Sequence, residues 1–202
     1  MLMTHSSMSA PLILASLSPR RRELLSEHGV EFEVVPSHVP ETPLAGESPR
    51  QFARRAAQEK ASEVARRYPG RFVLGADTVV VLDGAIFGKP TDRDDARRML
   101  RSLSGRRHAV LTAVALLHPT GRVEEVIVET EVEFRVLADE EIEEYIEKSE
   151  PFDKAGAYAI QGWAGKFVRA VRGSYSNVIG LPIDEVTTLL QAHVPVQARA
   201  SE

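Results

Sequence analysis

Two hydrophobic rhythms alternate along this chain, and most stretches end on a recognisable stop. Leu12-Ile13-Leu14-Ala15 is a short continuous apolar run that predicts a buried strand. A helix over residues 20–28 follows, with Ser18 placed to cap its free amides, Pro19 at its first position and Gly29 as its stop. Phe32-Glu33-Val34-Val35 alternates as a strand, and residues 37–46, with two prolines and a glycine, read as a loop. Ser48-Pro49-Arg50-Gln51 combines a capping box with an N1 proline, which opens a long helix to about Arg67 before Pro69-Gly70. Residues 72–82 form a strongly apolar strand, Asp83-Gly84 a two-residue hairpin turn, and residues 85–87 the returning strand.

The second half continues in the same way. Helical spacing covers residues 92–103, and two long strands over 108–117 and 123–136 flank Pro119-Thr120-Gly121. In the second strand Val126, Val128, Thr130, Val132, Phe134 and Val136 share one face and charged residues the other, so one face is expected to be wet. An acidic helix over 138–148, a glycine-containing loop over 151–165 with a short strand, a strand over 166–171 and a helix over 182–193 complete the pattern. There are no repeats and no linker of low complexity. The expectation is one α/β domain over residues 11–194, a disordered leader over 1–10 and a flexible tail over 195–202.

Composition narrows the chemistry. A formal net charge of −4 argues against general nucleic-acid binding, which relies on a positive excess. Cysteine is absent, which removes disulfides, thiol nucleophiles and thiolate metal sites and fits a cytoplasmic location. No stretch approaches the roughly 20 apolar residues that span a bilayer, so no membrane partner is expected. The local charge is another matter. Ala15-Ser16-Leu17-Ser18-Pro19-Arg20-Arg21-Arg22 sets three guanidinium groups where a strand gives way to a helix N-terminus, a cradle for phosphate oxygens or else a capped surface helix with solvated arginines.

Several polar residues stand in apolar surroundings. Asp77 lies inside the strand over 72–82, where a carboxylate needs a cation, a metal or a capping role at a bend near Gly75. At about 100° per residue, Lys60 falls on the buried arc of the long helix with Ala53, Ala56, Ala57 and Val64. It must snorkel to solvent or meet an anion. Continuing the hairpin register carries Lys89 opposite Thr78 and beside Asp77, although a lysine can also simply blunt an edge strand. Glu41, in its proline-flanked loop, is either a solvated carboxylate or, with Asp77, a ligand for a divalent metal on a polyphosphate. The stretch from Asp153 to Gly162 is rich in small residues that let a ligand approach the backbone, or else is a tight loop between a helix and a strand, and within it Gln161 carries an amide able to read a base edge. Gly173-Ser174-Tyr175-Ser176-Asn177 has the composition of caps and turns.

Taken together, these segments resemble the Maf family of nucleoside triphosphate pyrophosphatases, also called septum-formation proteins. The matching pieces are Ala15-Ser16-Leu17-Ser18-Pro19-Arg20-Arg21, Glu59-Lys60-Ala61, Gly75-Ala76-Asp77-Thr78-Val79-Val80, Gly88-Lys89-Pro90, Leu103-Ser104-Gly105, the run from Asp153 to Tyr158 with Ile160-Gln161-Gly162, and Gly173-Ser174-Tyr175 with Val178-Ile179-Gly180-Leu181-Pro182. They follow the family's order over about residues 12–192. The resemblance implies an elongated mixed β-sheet flanked by helices, with two lobes and a central cleft. It also implies hydrolysis of a nucleoside triphosphate to the monophosphate and pyrophosphate with a divalent cation, Mg²⁺ or Mn²⁺. On that resemblance Asp77 is the general base, Ser16, Arg20, Arg21, Lys60 and Lys89 hold the triphosphate, and Glu41 joins Asp77 at the metal. Arg20, Thr78 and Gln161 stand at specificity positions of the branch acting on dTTP and UTP, and Ile160-Gln161-Gly162 separates it from the branch acting on 7-methyl-GTP. Modified pyrimidine nucleotides and a house-cleaning role in nucleotide pools are implied too, as is a homodimer. Leu17 and Ala159 depart from the smaller residues common at those places. The competing expectations are a 7-methyl-GTP pyrophosphatase of the same family and a nucleotide-binding regulator of septum formation with vestigial hydrolysis.

Overall fold

The structure, a computed structural model, describes residues 10–148 and 151–193. The expected tail, and the expected leader apart from Ala10, lie outside the described residues. Seven strands make one mixed sheet: β1 (Leu12–Leu14), β2 (Phe32–Val34), β3 (Val73–Leu82), β4 (Ala85–Phe87), β5 (Arg107–Leu117), β6 (Val123–Phe134) and β7 (Val168–Arg172). Their order is β2-β1-β3-β5-β6-β7, with β4 paired to β3 off that path. β1 runs parallel to β2 and β3, and every other pairing is antiparallel.

Six helices cover the sheet: α1 (Pro19–Glu27), α2 (Pro49–Arg67), α3 (Arg93–Leu103), α4 (Asp139–Glu147), α5 (Tyr175–Ile179) and α6 (Ile183–Gln191). Local chemistry sets their ends. The Ser18 hydroxyl accepts from the Arg21 amide to start α1, and Ser48 with Gln51 closes the expected capping box on α2. The loop over 151–165 forms short 3₁₀ turns, not a strand.

Period-2 alternation along β3 distributes the core. Val73 and Val79 face α2 with Ile13, Leu111, Ala113 and Ala115. Leu74 and Ala76 point to the opposite face, into a core with α1 and α6, while Val80 and Leu82 on that same face enter a separate core built with α3, α4 and the 3₁₀ turns. One face of the sheet therefore carries two cores in succession, and the residues between them are polar.

The edge of β3 opposite β5 is shared. β1 pairs with it at Val73 and Leu74, and β4 at Val80, Val81 and Leu82. The stretch between has no strand on that side. Asp77, Thr78 and Val79 of that stretch line a cleft.

Two expectations are corrected here. Pairing of β4 ends at Phe87 opposite Val80, so the ladder does not carry Lys89 opposite Thr78. The carbonyl of Gly88 instead accepts from the Gly156 amide at 3.0 Å, and Pro90 has no N–H to extend the ladder. In β6 the alternation holds through Phe134, but Val136 lies beyond a register shift and is exposed. Val126 and Val128 are only half-buried, and β7 pairs with β6 only from Glu131 to Phe134.

Candidate active site

Asp77 and Thr78 are successive residues, so they leave β3 on opposite faces. Asp77 turns to α2, where Lys60 waits. Both are buried, and Lys60 Nζ stands 2.7 Å from Asp77 Oδ1 and 2.6 Å from Glu41 Oε1. Of the two fates open to a lysine on that arc, it has met anions. Asp77 Oδ2 has no partner among the described residues.

The approach depends on Gly75. A Cβ there would lie 2.3 Å from the Ala57 carbonyl oxygen and 2.8 Å from the Ala61 amide nitrogen. Only glycine lets α2 settle this close to β3, and that closeness brings Lys60 within reach.

Thr78 turns to α1. Its hydroxyl lies 3.1 Å from Arg21 Nη2, 2.9 Å from Thr112 Oγ1 and 3.3 Å from the Gly180 carbonyl. Arg21 is itself buried and donates through Nε to the Gly180 carbonyl (2.9 Å) and through Nη1 to the Ala76 carbonyl (3.0 Å) and the Ser16 hydroxyl (3.2 Å). Four of its five N–H groups are thus committed within the protein. The Ala76 carbonyl belongs to the strandless edge of β3, so Arg21 satisfies part of the backbone that no strand pairs. Burial lowers the Arg21 pKa from its ordinary value, opposed by the charges of Asp77 and Glu41.

The remaining cations are freer. Arg20 is half-exposed, yet its Nε is shielded from solvent and lacks a hydrogen-bond partner among the described residues. Lys89 is exposed and reaches Glu41 Oε2 at 3.3 Å. Glu41 is therefore held by two ammonium groups. Desolvation raises its pKa, but Lys60 and Lys89 outweigh that and leave it lowered. Gln161 is exposed and lines the same cleft, and Arg22 is exposed and does not line it.

All nine residues singled out in the sequence, from Ser16 to Gln161, line a single cleft of about 600 Å³. That is room for a nucleotide-sized ligand. Five cationic side chains face three carboxylates across it, an excess of positive charge in a protein whose net charge is negative. The amides of Leu17 and Arg20 make no hydrogen bond among the described residues and open at the same end. Asp153 and Lys154, which open a matching stretch of the sequence but are given no role there, form an ion pair on the cleft wall. Asn177 was also passed over, as one of several capping residues. It is fully buried and donates through Nδ2 to the Val110 carbonyl at 2.9 Å and to Thr130 Oγ1 at 3.0 Å.

The sequence model of the family described as Maf-like protein matches residues 11–193. A relative from Anaeromyxobacter dehalogenans (strain 2CP-1) is 53% identical over 187 residues, covering 91% of this chain and 94% of its own, and bears the name dTTP/UTP pyrophosphatase. Relatives of the same name from Koribacter versatilis and Myxococcus xanthus are each 50% identical over 192 residues, covering 94% of this chain and 97% and 96% of their own. Among solved structures, the Ham1 protein of Staphylococcus aureus shares the fold with a TM-score of 0.52 and 13% identity, covering 91% of this chain and 99% of that one. Matched in this way from β1 to the end of α6, the chain belongs to the Maf family.

Proposed function

We propose that the protein is a nucleoside triphosphate diphosphatase that converts dTTP and UTP to the nucleoside monophosphate and pyrophosphate. Half-identical relatives of that name support the substrate, and the cleft supports the reaction. The observation that carries the reading is Asp77: a buried carboxylate on the strandless edge of β3, with one oxygen held by Lys60 and the other without a partner among the described residues. Asp77 Oδ2 takes a proton from water as the water oxygen bonds to the α-phosphorus. The bond from that phosphorus to the bridging oxygen breaks, and pyrophosphate leaves. Such a displacement demands alignment and charge neutralisation more than covalent chemistry.

Ser16, Arg20, Arg21, Lys60 and Lys89 divide the task of holding the triphosphate. The orphaned Nε of Arg20, the last free N–H of Arg21 and the two open amides give phosphate oxygens their donors. Arg20, Thr78 and Gln161 select the nucleotide, with the Gln161 amide reading the base. Asp77 and Glu41 would hold a divalent cation. The two carboxylates already bracket one positive charge, the Lys60 ammonium, and their hard oxygen donors suit Mg²⁺ or Mn²⁺. When bound, the metal supplies further neutralisation of the triphosphate. Modified pyrimidine nucleotides fit the same cleft, which makes a cytoplasmic house-cleaning role the natural setting; no helix among the described residues is long and apolar enough to cross a membrane.

Asp77→Asn tests the assignment, since an amide oxygen can still accept from Lys60 but cannot take the proton. Turnover of dTTP is expected to fall by about 100- to 10,000-fold with nucleotide binding retained, measured by product chromatography and by calorimetry. An active variant removes Asp77 from the role of base. Release of orthophosphate with a diphosphate product removes the reaction itself.

A further inference from the structure

At the end of the sheet away from the cleft, three side chains from separate segments converge. His118 follows β5 directly, Glu124 stands on β6, and His193 lies just beyond α6. Nε2 of His118 and Nε2 of His193 each stand 2.9 Å from Glu124 Oε1. The three ligating atoms all fall within 4.8 Å of one another. His118 is buried, and the other two are half-buried.

Close approach has not produced hydrogen bonds. His118 Nε2 and Glu124 Oε1 are both shielded from water and both lack a hydrogen-bond partner among the described residues, despite their separation. A buried polar atom in that condition calls for an explanation, and a cation at the common focus provides one. The rings are also fixed in place. Phe72 packs against His118 with centroids 5.0 Å apart and against His193 at 6.0 Å, and the two imidazoles meet at 4.5 Å. Backbone bonds between His118 and both Gly121 and Arg122 tie the turn, and the His193 amide donates to the Leu190 carbonyl. Arg122 Nη2 also approaches Glu124 Oε1, at 3.3 Å, but its side chain is two-thirds exposed and can leave.

We propose that His118, Glu124 and His193 form a metal site separate from the cleft, with Zn²⁺ the favoured ion and water completing the shell. Two imidazoles and one carboxylate are a donor set that suits zinc and neighbouring first-row ions, in contrast to the all-oxygen carboxylate pair at Asp77. Metal–ligand bonds of about 2.0–2.2 Å place tetrahedral donors about 3.3–3.5 Å apart, so each imidazole nitrogen needs to draw back from Glu124 Oε1 by only about half an ångström. Phe72, which touches both rings, precedes Asp77 by five strand residues, about 16 Å. The ion therefore has no access to the reacting phosphate. Its effect is to tie the β5–β6 turn to the end of α6.

Protein stripped with a chelator and titrated with Co²⁺ and Zn²⁺ tests the site. We expect one equivalent of Co²⁺ to give the intense visible absorption of tetrahedral coordination, displaced by Zn²⁺, and Zn²⁺ to raise the melting midpoint. Asp77→Asn should keep both effects. His193→Ala and Glu124→Gln should lose the absorption and the shift, with zinc affinity falling about 10-fold or more. Their melting midpoints in chelator and their dTTP turnover, compared with the parent, show that the fold and the cleft are intact. Absence of tetrahedral binding, its retention in both His193→Ala and Glu124→Gln, or its loss in Asp77→Asn overturns the proposal.

Discussion

An ammonium group among alanines is tolerable only because two carboxylates meet it, and the same rule of pairing sorts the other buried polar residues. His108 is the exception that titrates. It is buried beside Phe134, its Nε2 shares a hydrogen bond with the Tyr158 hydroxyl at 2.8 Å, and its Nδ1 has no hydrogen-bond partner among the described residues. Burial lowers its pKa from 6.5 to about 4, while burial pushes the Tyr158 phenol upward. An unfolded histidine takes up a proton near pH 6.5, and the folded one waits until about pH 4. Between those values the unfolded state binds more protons, so stability falls as the pH drops and levels off below about 4. The loss from this residue is about 3 kcal/mol. His108→Gln keeps a polar partner for Tyr158 without the titration. Starting less stable at pH 7, it should converge on the parent as urea melts are moved from pH 7 to pH 4.5. Parallel pH profiles for the two proteins contradict this.

At the scale of the element, the contact of α2 with β3 governs the site, and Gly75 governs the contact. Both atoms nearest to a Cβ at Gly75 are backbone, so no side chain can yield and the helix itself must shift. Gly75→Ala is expected to cost about 1–3 kcal/mol in stability, as overpacking does. Because the same shift draws Lys60 from Asp77, kcat should fall by about 100-fold, out of proportion to the lost stability. Denaturant melts and steady-state kinetics on one preparation separate the two; a folded variant with normal kcat would show that Lys60 does not depend on this approach. This element was also the most legible part of the sequence. Its capping box, its alanine stripe and the buried place of Lys60 follow from spacing alone, since helix periodicity is local. Asp77 was legible for the same reason, as a carboxylate in an apolar strand. Lys89 was placed in error because a register inferred from one turn holds only as far as the pairing does, and a distant amide, that of Gly156, ended it. The five-residue helix α5 shows no apolar period, and its capping residues read as a loop. The His118 cluster is assembled across the fold from segments with no local pattern to announce it.

At the scale of the molecule, two cores occupy one face of the sheet and a polar seam divides them. Thr78, Thr112 and Thr130 lie along it on three neighbouring strands, and Asn177 of α5 closes it from above. The Thr112 hydroxyl reaches the Asn177 carbonyl at 3.4 Å, and the Thr130 hydroxyl donates to the Ser174 carbonyl at 3.1 Å. The seam continues into the cleft, because α5 ends at Gly180, whose carbonyl accepts from Arg21 Nε. The position of α5 therefore sets where Arg21 points, and with it the edge of β3 that the guanidinium covers. Asn177→Ala removes both Nδ2 donors and opens a void where no water reaches. A cost of about 1–3 kcal/mol follows from the acceptors left unpaired in a buried place. The functional effect should differ from that of Gly75→Ala. Asn177 touches neither Lys60 nor Asp77, so a loosened α5 disturbs the phosphate end of the cleft through Arg21 and leaves the proton acceptor in position. KM for dTTP is expected to rise several-fold while kcat changes by less than about twofold, the pattern of weakened uniform binding. A fall in kcat at unchanged KM would place the control of α5 on the chemistry and not on the binding of the triphosphate.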